Sequence, residues 1–238
     1  RLIDTAEMYG EGGAEEVIGQ AVTDALRAGD VRRDDLFIVS KVYPHNASRK
    51  GTLAACERSR KRLGLDRIDL YLLHWRGEHA LADTVASMHA LQKSGHIAHW
   101  GVSNFDVNDM EELIAVAPDC TANQVYFSLS ERGAEFSLLP WLRQHRMPLM
   151  AYSPIDQGTL ARHKALGAIA EPLGLTPAQL ALAWVLAQPG VVAIPKAVQP
   201  QHLRDNFAAA QATLSADALR AIDAAFPPPK RKTALAMT

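Results

Sequence analysis

The stretch "LIDTAEMYGEGGAEEVIGQAVTDALRAG", residues 2–29, decides the fold. Two apolar residues lead into an acid, a turn rich in glycine follows, and then Ala14, Val17, Ile18, Ala21, Val22, Ala25 and Leu26 recur at three- and four-residue steps. That periodicity predicts an amphipathic helix beginning near Ala14, with those seven residues on its buried face. A short buried strand followed by a helix is one βα unit. The unit repeats along the chain. Further short apolar runs are "LFIVSK" (36–41), "IDLYLLH" (68–74), "IAHWGVSN" (97–104), "TANQVYF" (121–127), "MPLMAYS" (147–153) and "GVVAIPK" (190–196). Helix patterns separate them, as in "LTPAQLALAWVLAQPG" (175–190). There Thr176 is placed to cap, Pro177 lies in the first turn, Gln179 completes a capping box and Gly190 stands beyond the end. Strict β-then-α alternation predicts a parallel sheet, either doubly wound or closed into a (β/α)8 barrel.

Composition narrows the functional classes. At 238 residues with 48% hydrophobic content, one large domain with a sizeable core is expected. A formal net charge of -1 and the absence of a long basic run leave no electrostatic footprint for nucleic acid or an anionic membrane, so the expected partner is a small molecule. Cys56 and Cys120 lack the spacing of a zinc site and are too few for a disulfide framework, which fits a reducing cytoplasm. No run is long and apolar enough to span a bilayer, and a monomer is expected. The nine histidines show no metal-ligand spacing, so no metal is expected.

Polar groups cluster at the ends of the strand-like runs. Asp4, Lys41, His74, Asn104, Tyr152 with Ser153, and Lys196 each close one of them. In a parallel barrel all these ends meet at one mouth, where the active site sits. Singly, each has an ordinary reading as a loop acid, a solvated lysine or a strand-end histidine. Together with Tyr9 they form an acid–base set. A phenol ionises near pH 10 in water and donates a proton poorly unless its anion is stabilised. Lys41 supplies that stabilisation, Asp4 holds the ammonium, and His74 remains to orient a carbonyl.

The sequence resembles the aldo/keto reductases. "DTAEMYG", "VSKV", "LLHW", "WGVSNF", "NQVYFS", "AYSPIDQG" and "AIPKA" match that family's motifs in the family's order, from Leu2 to about Pro229. Within it, the likeness is strongest to bacterial members described as methylglyoxal reductases. The resemblance implies a (β/α)8 TIM barrel that reduces aldehydes and ketones with NADPH, the catalytic residues being Asp4, Tyr9, Lys41 and His74. It also implies a nicotinamide stacked on Tyr152, with its carboxamide held by Ser103, Asn104 and Gln124. By the same resemblance Ser153, Pro154, Gly158 and Leu160 belong to the loop over the pyrophosphate. Ile194, Pro195, Lys196, Ala197 and His202 lie toward the 2′-phosphate, Asp205 and Asn206 hold the adenine, and Tyr43 and Trp75 wall the substrate pocket. The expected activity is reduction of small aldehydes and 2-oxoaldehydes. The rival is a non-catalytic NADP(H)-binding regulatory subunit on the same barrel, against which the intact tetrad argues.

Two departures accompany the match, and two further motifs have ordinary readings. Seven strands imply that the barrel's first strand is absent, so the chain is expected to be N-terminally shortened, with the barrel over 1–226 and a C-terminal tail over 227–238. Ala197 and His202 stand where many members carry Ser and Arg toward the 2′-phosphate, which weakens the expected cofactor preference. "YGEGGAEE" (9–16) is not spaced as a dinucleotide-binding glycine loop and reads as a turn. "FPPPKRK" (226–232) reads as a proline-locked tail laid over the barrel.

Overall fold

All seven apolar runs form strands in the computed structural model, which describes residues 1–237. The chain divides into two compact units, Arg1–Ala122 and the part from Asn123 onward.

In the first unit, β1 (Leu2–Asp4), β2 (Phe37–Val42), β3 (Ile68–Leu73) and β4 (Ile97–Ser103) pair in parallel and in chain order. Helices α1 (Gly13–Ala28), α2 (Gly51–Leu63), α3 (Leu81–Lys93) and α4 (Val107–Val116) follow them in turn. All six positions of β3 are buried, as expected of a strand covered on both faces. The register sets which side chains share a face. Asp4 pairs with Val39, Lys41 with Leu72, and Leu72 with Gly101. Because side chains alternate along a strand, Asp4, Lys41, His74 and Ser103 fall on one face. Gly101 leaves room beneath them, for a Cβ there would lie 2.5 Å from the Ala122 carbonyl oxygen.

Helix α1 corrects the sequence reading of its buried face. Its buried residues are Glu15, Gly19 and Val22, whereas Val17 is 70% exposed and Ala21 is also exposed. Ala14, Ile18, Ala25 and Leu26 are half-buried. Polar pairing won over apolar periodicity. Glu15 accepts hydrogen bonds from Ser40 Oγ at 2.6 Å and from Arg62 Nη1 at 3.0 Å, which offsets the cost of burying its carboxylate. Gly19 brings α1 against α2, since a Cβ at that position would sit 2.3 Å from the Arg62 carbonyl oxygen. Only the first half of "YGEGGAEE" is a turn, with Gly10, Glu11 and Gly12 in left-handed conformations; Gly13 to Glu16 already form the first turn of α1.

In the second unit, β5 (Asn123–Tyr126), β6 (Leu149–Tyr152) and β7 (Val191–Ala193) are likewise parallel and in order. Its helices are α5 (Leu138–Gln144), α6 (Lys164–Ala170), α7 (Pro177–Leu186), α8 (Pro200–Ala209) and α9 (Ala216–Ala225). The capping box expected before α7 forms, with Gln179 N–H donating to Thr176 Oγ1 and Thr176 N–H to Gln179 Oε1. Arg132 fastens the C-terminal region. It pairs with Glu135 at 2.6 Å and Asp223 at 2.8 Å, lies over the Trp184 ring, and donates to the Phe226 carbonyl. Beyond α9 the described residues have no regular structure, and they pass close to Gly133, where a Cβ would meet Thr233 Oγ1.

Both cysteines are buried, and burial pushes each thiol up to about 12, so neither is a reactive thiolate. Among the described residues, no single helix is long and apolar enough to cross a membrane. Among the same residues, no group of three or more metal-ligating side chains is present.

Candidate active site

Lys41 is the centre of the site in the first unit. It is fully buried near the end of β2, where a lone ammonium would be costly. Three acceptors surround it: Asp4 Oδ1 at 2.5 Å, the Thr5 carbonyl at 3.0 Å and Tyr9 Oη at 3.2 Å. An ammonium has only donors, so the Tyr9 oxygen accepts from it, and the phenol's own proton is left to be given away. The nitrogen also lies 4.8 Å from the Tyr9 ring centroid. Tyr9 itself is 38% exposed, with its hydroxyl anchored inside and its ring edge-on to His74 at 5.8 Å.

His74 is buried just past β3. Burial, and then the Lys41 charge, lower its pKa from 6.5 to about 3, so its imidazole is neutral at physiological pH. Nδ1 is buried without a hydrogen-bond partner among the described residues, which leaves Nε2 as the ring nitrogen able to meet a substrate. A stability consequence follows. Between 6.5 and about 3 the unfolded chain binds a proton at His74 that the folded chain refuses, so this residue makes stability fall as pH drops through that window. In thermal melts from pH 7 to pH 5, His74→Gln is expected to lose less Tm than the wild type. An equal or larger loss in the variant contradicts the assignment.

Asn104, with φ of 60°, turns the chain just after β4 and donates from Nδ2 to the His74 carbonyl at 3.1 Å and to Ser103 Oγ at 3.2 Å. Two of the three amide-holding candidates, Ser103 and Asn104, therefore sit beside His74. Tyr43 packs against the rings of His45, His74 and Trp75 at 4.6, 6.5 and 5.6 Å. Beyond Trp75 opens a cleft of about 400 Å³ lined also by Pro44, His45, Gly77, Glu78 and His79. Arg76 moors this loop to α4 through Glu112 and Asp109. Sequence reasoning missed His45, Glu78 and His79, although all three lie on the two loops that carry Lys41 and His74 onward.

The second unit gathers its own candidates. Gln124 pairs in register with Met150 and Tyr126 with Tyr152, so Gln124 and Tyr152 share a face at their strand ends. Tyr126 stacks on one side of the Tyr152 ring, at 5.6 Å and 18° between planes, and donates its hydroxyl to Asp156. Neither Tyr126 nor Asp156 was legible as a site residue. The loop that follows has Ser153, Asp156, Gln157 and Gly158 in left-handed conformations, an arrangement of backbone amides suited to an anion. Pro154 is buried within it, and Leu160 is buried at the start of a short helical turn. Ile194 continues β7, its amide donating to the Ala151 carbonyl, and Pro195 and Ala197 are half-buried beside the exposed Lys196. Lys196 makes no ion pair among the described residues. His202, Asp205 and Asn206 lie on α8, where His202 is exposed and the Asp205 carboxylate accepts from Gln201.

A flat aromatic ring backed on one side, a run of left-handed backbone and an unpaired exposed cation fit a phosphorylated aromatic dinucleotide. Residues 1–226 match the family model described as "Aldo/keto reductase family". The chain is 46% identical over 243 residues to methylglyoxal reductase YeaE of Escherichia coli K12, covering 99% of this chain and 83% of that protein. It is 38% identical to the glyoxal reductase of Bacillus subtilis, covering 94% of this chain and 78% of the other. Among solved structures, an aldo/keto reductase from Klebsiella pneumoniae in complex with NADP and acetate superposes with a TM-score of 0.94 at 46% identity. That match covers 100% of this chain and 84% of the other.

Proposed function

The chain belongs to the aldo/keto reductase family, and from that membership we propose that it reduces small aldehydes and 2-oxoaldehydes, methylglyoxal among them, with NADPH. The observation that carries the reading is the three-acceptor cradle of Lys41, which binds Asp4 and Tyr9 into one unit beside the neutral His74. NADPH, when bound, supplies the hydride. Tyr9 gives its proton to the carbonyl oxygen while Lys41 stabilises the phenolate left behind and Asp4 keeps the ammonium in place. His74, with no positive charge of its own, orients the carbonyl through Nε2. Tyr43 and Trp75 form an aromatic wall against which a small carbonyl compound packs. The 46% identity to a methylglyoxal reductase supports that substrate class. NADPH oxidation followed against a panel of aldehydes tests it. Turnover of methylglyoxal and glyoxal is expected, and no oxidation with any aldehyde would leave the regulatory-subunit reading.

Tyr152 and the left-handed loop from Ser153 to Gly158 are suited to the nicotinamide and the pyrophosphate, and family membership extends the proposal to Ser103, Asn104 and Gln124 as carboxamide ligands. Lys196 is the cation for the 2′-phosphate. A charge-assisted hydrogen bond contributes about 1.5–3 kcal/mol, so Lys196→Ala is expected to shrink the NADPH-over-NADH affinity ratio by roughly 10-fold or more. NADH binding should change little. Fluorescence titrations of both nucleotides measure this, and an unchanged ratio removes Lys196 from the role.

A further inference from the structure

Glu7 stands between Asp4 and Tyr9, is only 7% exposed, and among the described residues its side chain hydrogen-bonds Tyr43, Asn46 and Arg58, not the tetrad. A buried carboxylate is costly unless its oxygens are satisfied, and this one is engaged on both. Oε1 accepts from the Tyr43 amide at 2.8 Å and from Asn46 Nδ2 at 3.0 Å, while Oε2 accepts from Arg58 Nη2 at 3.1 Å. Those donors come from the loop after β2 and from α2. Meanwhile the Glu7 amide donates to the Lys41 carbonyl at 3.4 Å. The segment from Thr5 to Met8 has no regular structure; the Thr5 and Glu7 amides join it to β2, and the Glu7 side chain adds a tie to the loop just after that strand.

Building on Tyr9 as proton donor, we propose that Glu7 is a positioning residue that fixes the Tyr9 loop against the end of β2 for proton transfer. Tyr9 follows two residues after Glu7, and Tyr43 follows two residues after Lys41. The carboxylate therefore clamps together the two chain segments whose side chains must meet at 3.2 Å. It also holds the backbone of Tyr43, a wall of the substrate site. Misplacement of a reacting group by about 1 Å can cost roughly 10²-fold in rate, so a loosened clamp should be read out in turnover.

Glu7→Ala is expected to lower kcat about 10- to 100-fold while the NADPH dissociation constant stays within about 3-fold. The solvent deuterium isotope effect on kcat should rise, because proton transfer from a misplaced phenol becomes the slow step. Glu7→Gln keeps an acceptor for the Tyr43 amide and Asn46, and should restore most of kcat. Arg58→Ala removes only the outer ion pair and should leave kcat within about 2-fold while lowering Tm. If Glu7→Ala does not fold, Glu7→Asp decides: it keeps the charge but falls short of the Tyr43 amide, and should lose about 10-fold in kcat near wild-type Tm. Wild-type kcat in Glu7→Ala or Glu7→Asp overturns the proposal. So does a loss shared equally by Glu7→Gln, NADPH binding and Tm with no change in isotope effect, which is general destabilisation. Tyr9→Phe run beside them separates the two readings. If it stays active the proton donor is misassigned, whereas if it collapses and Glu7→Ala does not, the clamp alone fails.

Discussion

Tyr9→Phe is expected to bind NADPH as the wild type does and to lose at least about 10²-fold in kcat with methylglyoxal, since general acid catalysis contributes roughly 10²- to 10⁴-fold. The substitution removes one oxygen and keeps the ring. Packing against His74 at 5.8 Å and the cation over the ring at 4.8 Å both survive it. Lys41 keeps Asp4 and the Thr5 carbonyl as acceptors, so the buried charge stays paired and the fold should hold. What disappears is the hydroxyl held 3.2 Å from the ammonium. His74 is a poor substitute donor at neutral pH, because burial and Lys41 hold it neutral. Single-turnover rates with saturating NADPH, together with the nucleotide dissociation constant, make the measurement. A variant that retains most of its kcat assigns the proton to another group.

The strand ends were legible in the sequence because buried parallel strands are short apolar runs, and a charged or aromatic residue closing such a run stands out against it. Asp4, Lys41 and His74 could be found that way, and their common face follows from the period of two along each strand. Glu7, Glu15 and the cleft residues His45, Glu78 and His79 could not. Glu15 looks like a solvated acid in the first turn of a helix, and only the tertiary approach of Arg62 and Ser40 reveals a buried pair. The buried stripe of α1 was misplaced for the same reason, as periodicity ranks side chains by apolarity and does not register that a paired carboxylate and a glycine can make the contact. Tyr126 and Asp156 escaped notice because their hydrogen bond joins residues 30 positions apart. Tyr152, at the end of its own apolar run, needed no such contact to be noticed.

Lys41→Met is expected to be at least as damaging as Tyr9→Phe, with kcat reduced by about 10²-fold or more and stability lowered as well. Methionine fills similar volume with an unbranched chain, so the loss is chiefly electrostatic. Without the ammonium nothing stabilises the phenolate that proton transfer would leave, and the Tyr9 hydroxyl loses the donor that fixed its orientation. The second consequence comes from Asp4. Its side chain is 10% exposed and lies 2.5 Å from the lysine nitrogen, and removing one member of a buried pair typically costs about 3–5 kcal/mol. The two effects can be separated. A Lys41→Met, Asp4→Asn double variant removes the carboxylate that has lost its lysine and should regain much of the lost Tm, yet it should recover none of the lost kcat. The double variant Tyr9→Phe, Lys41→Met should be scarcely slower than either single one, because residues that act as a unit do not contribute additively. Multiplicative losses in that double variant would mean that Lys41 acts on the reaction by some route other than Tyr9, and the hydrogen bond between them would then be structural.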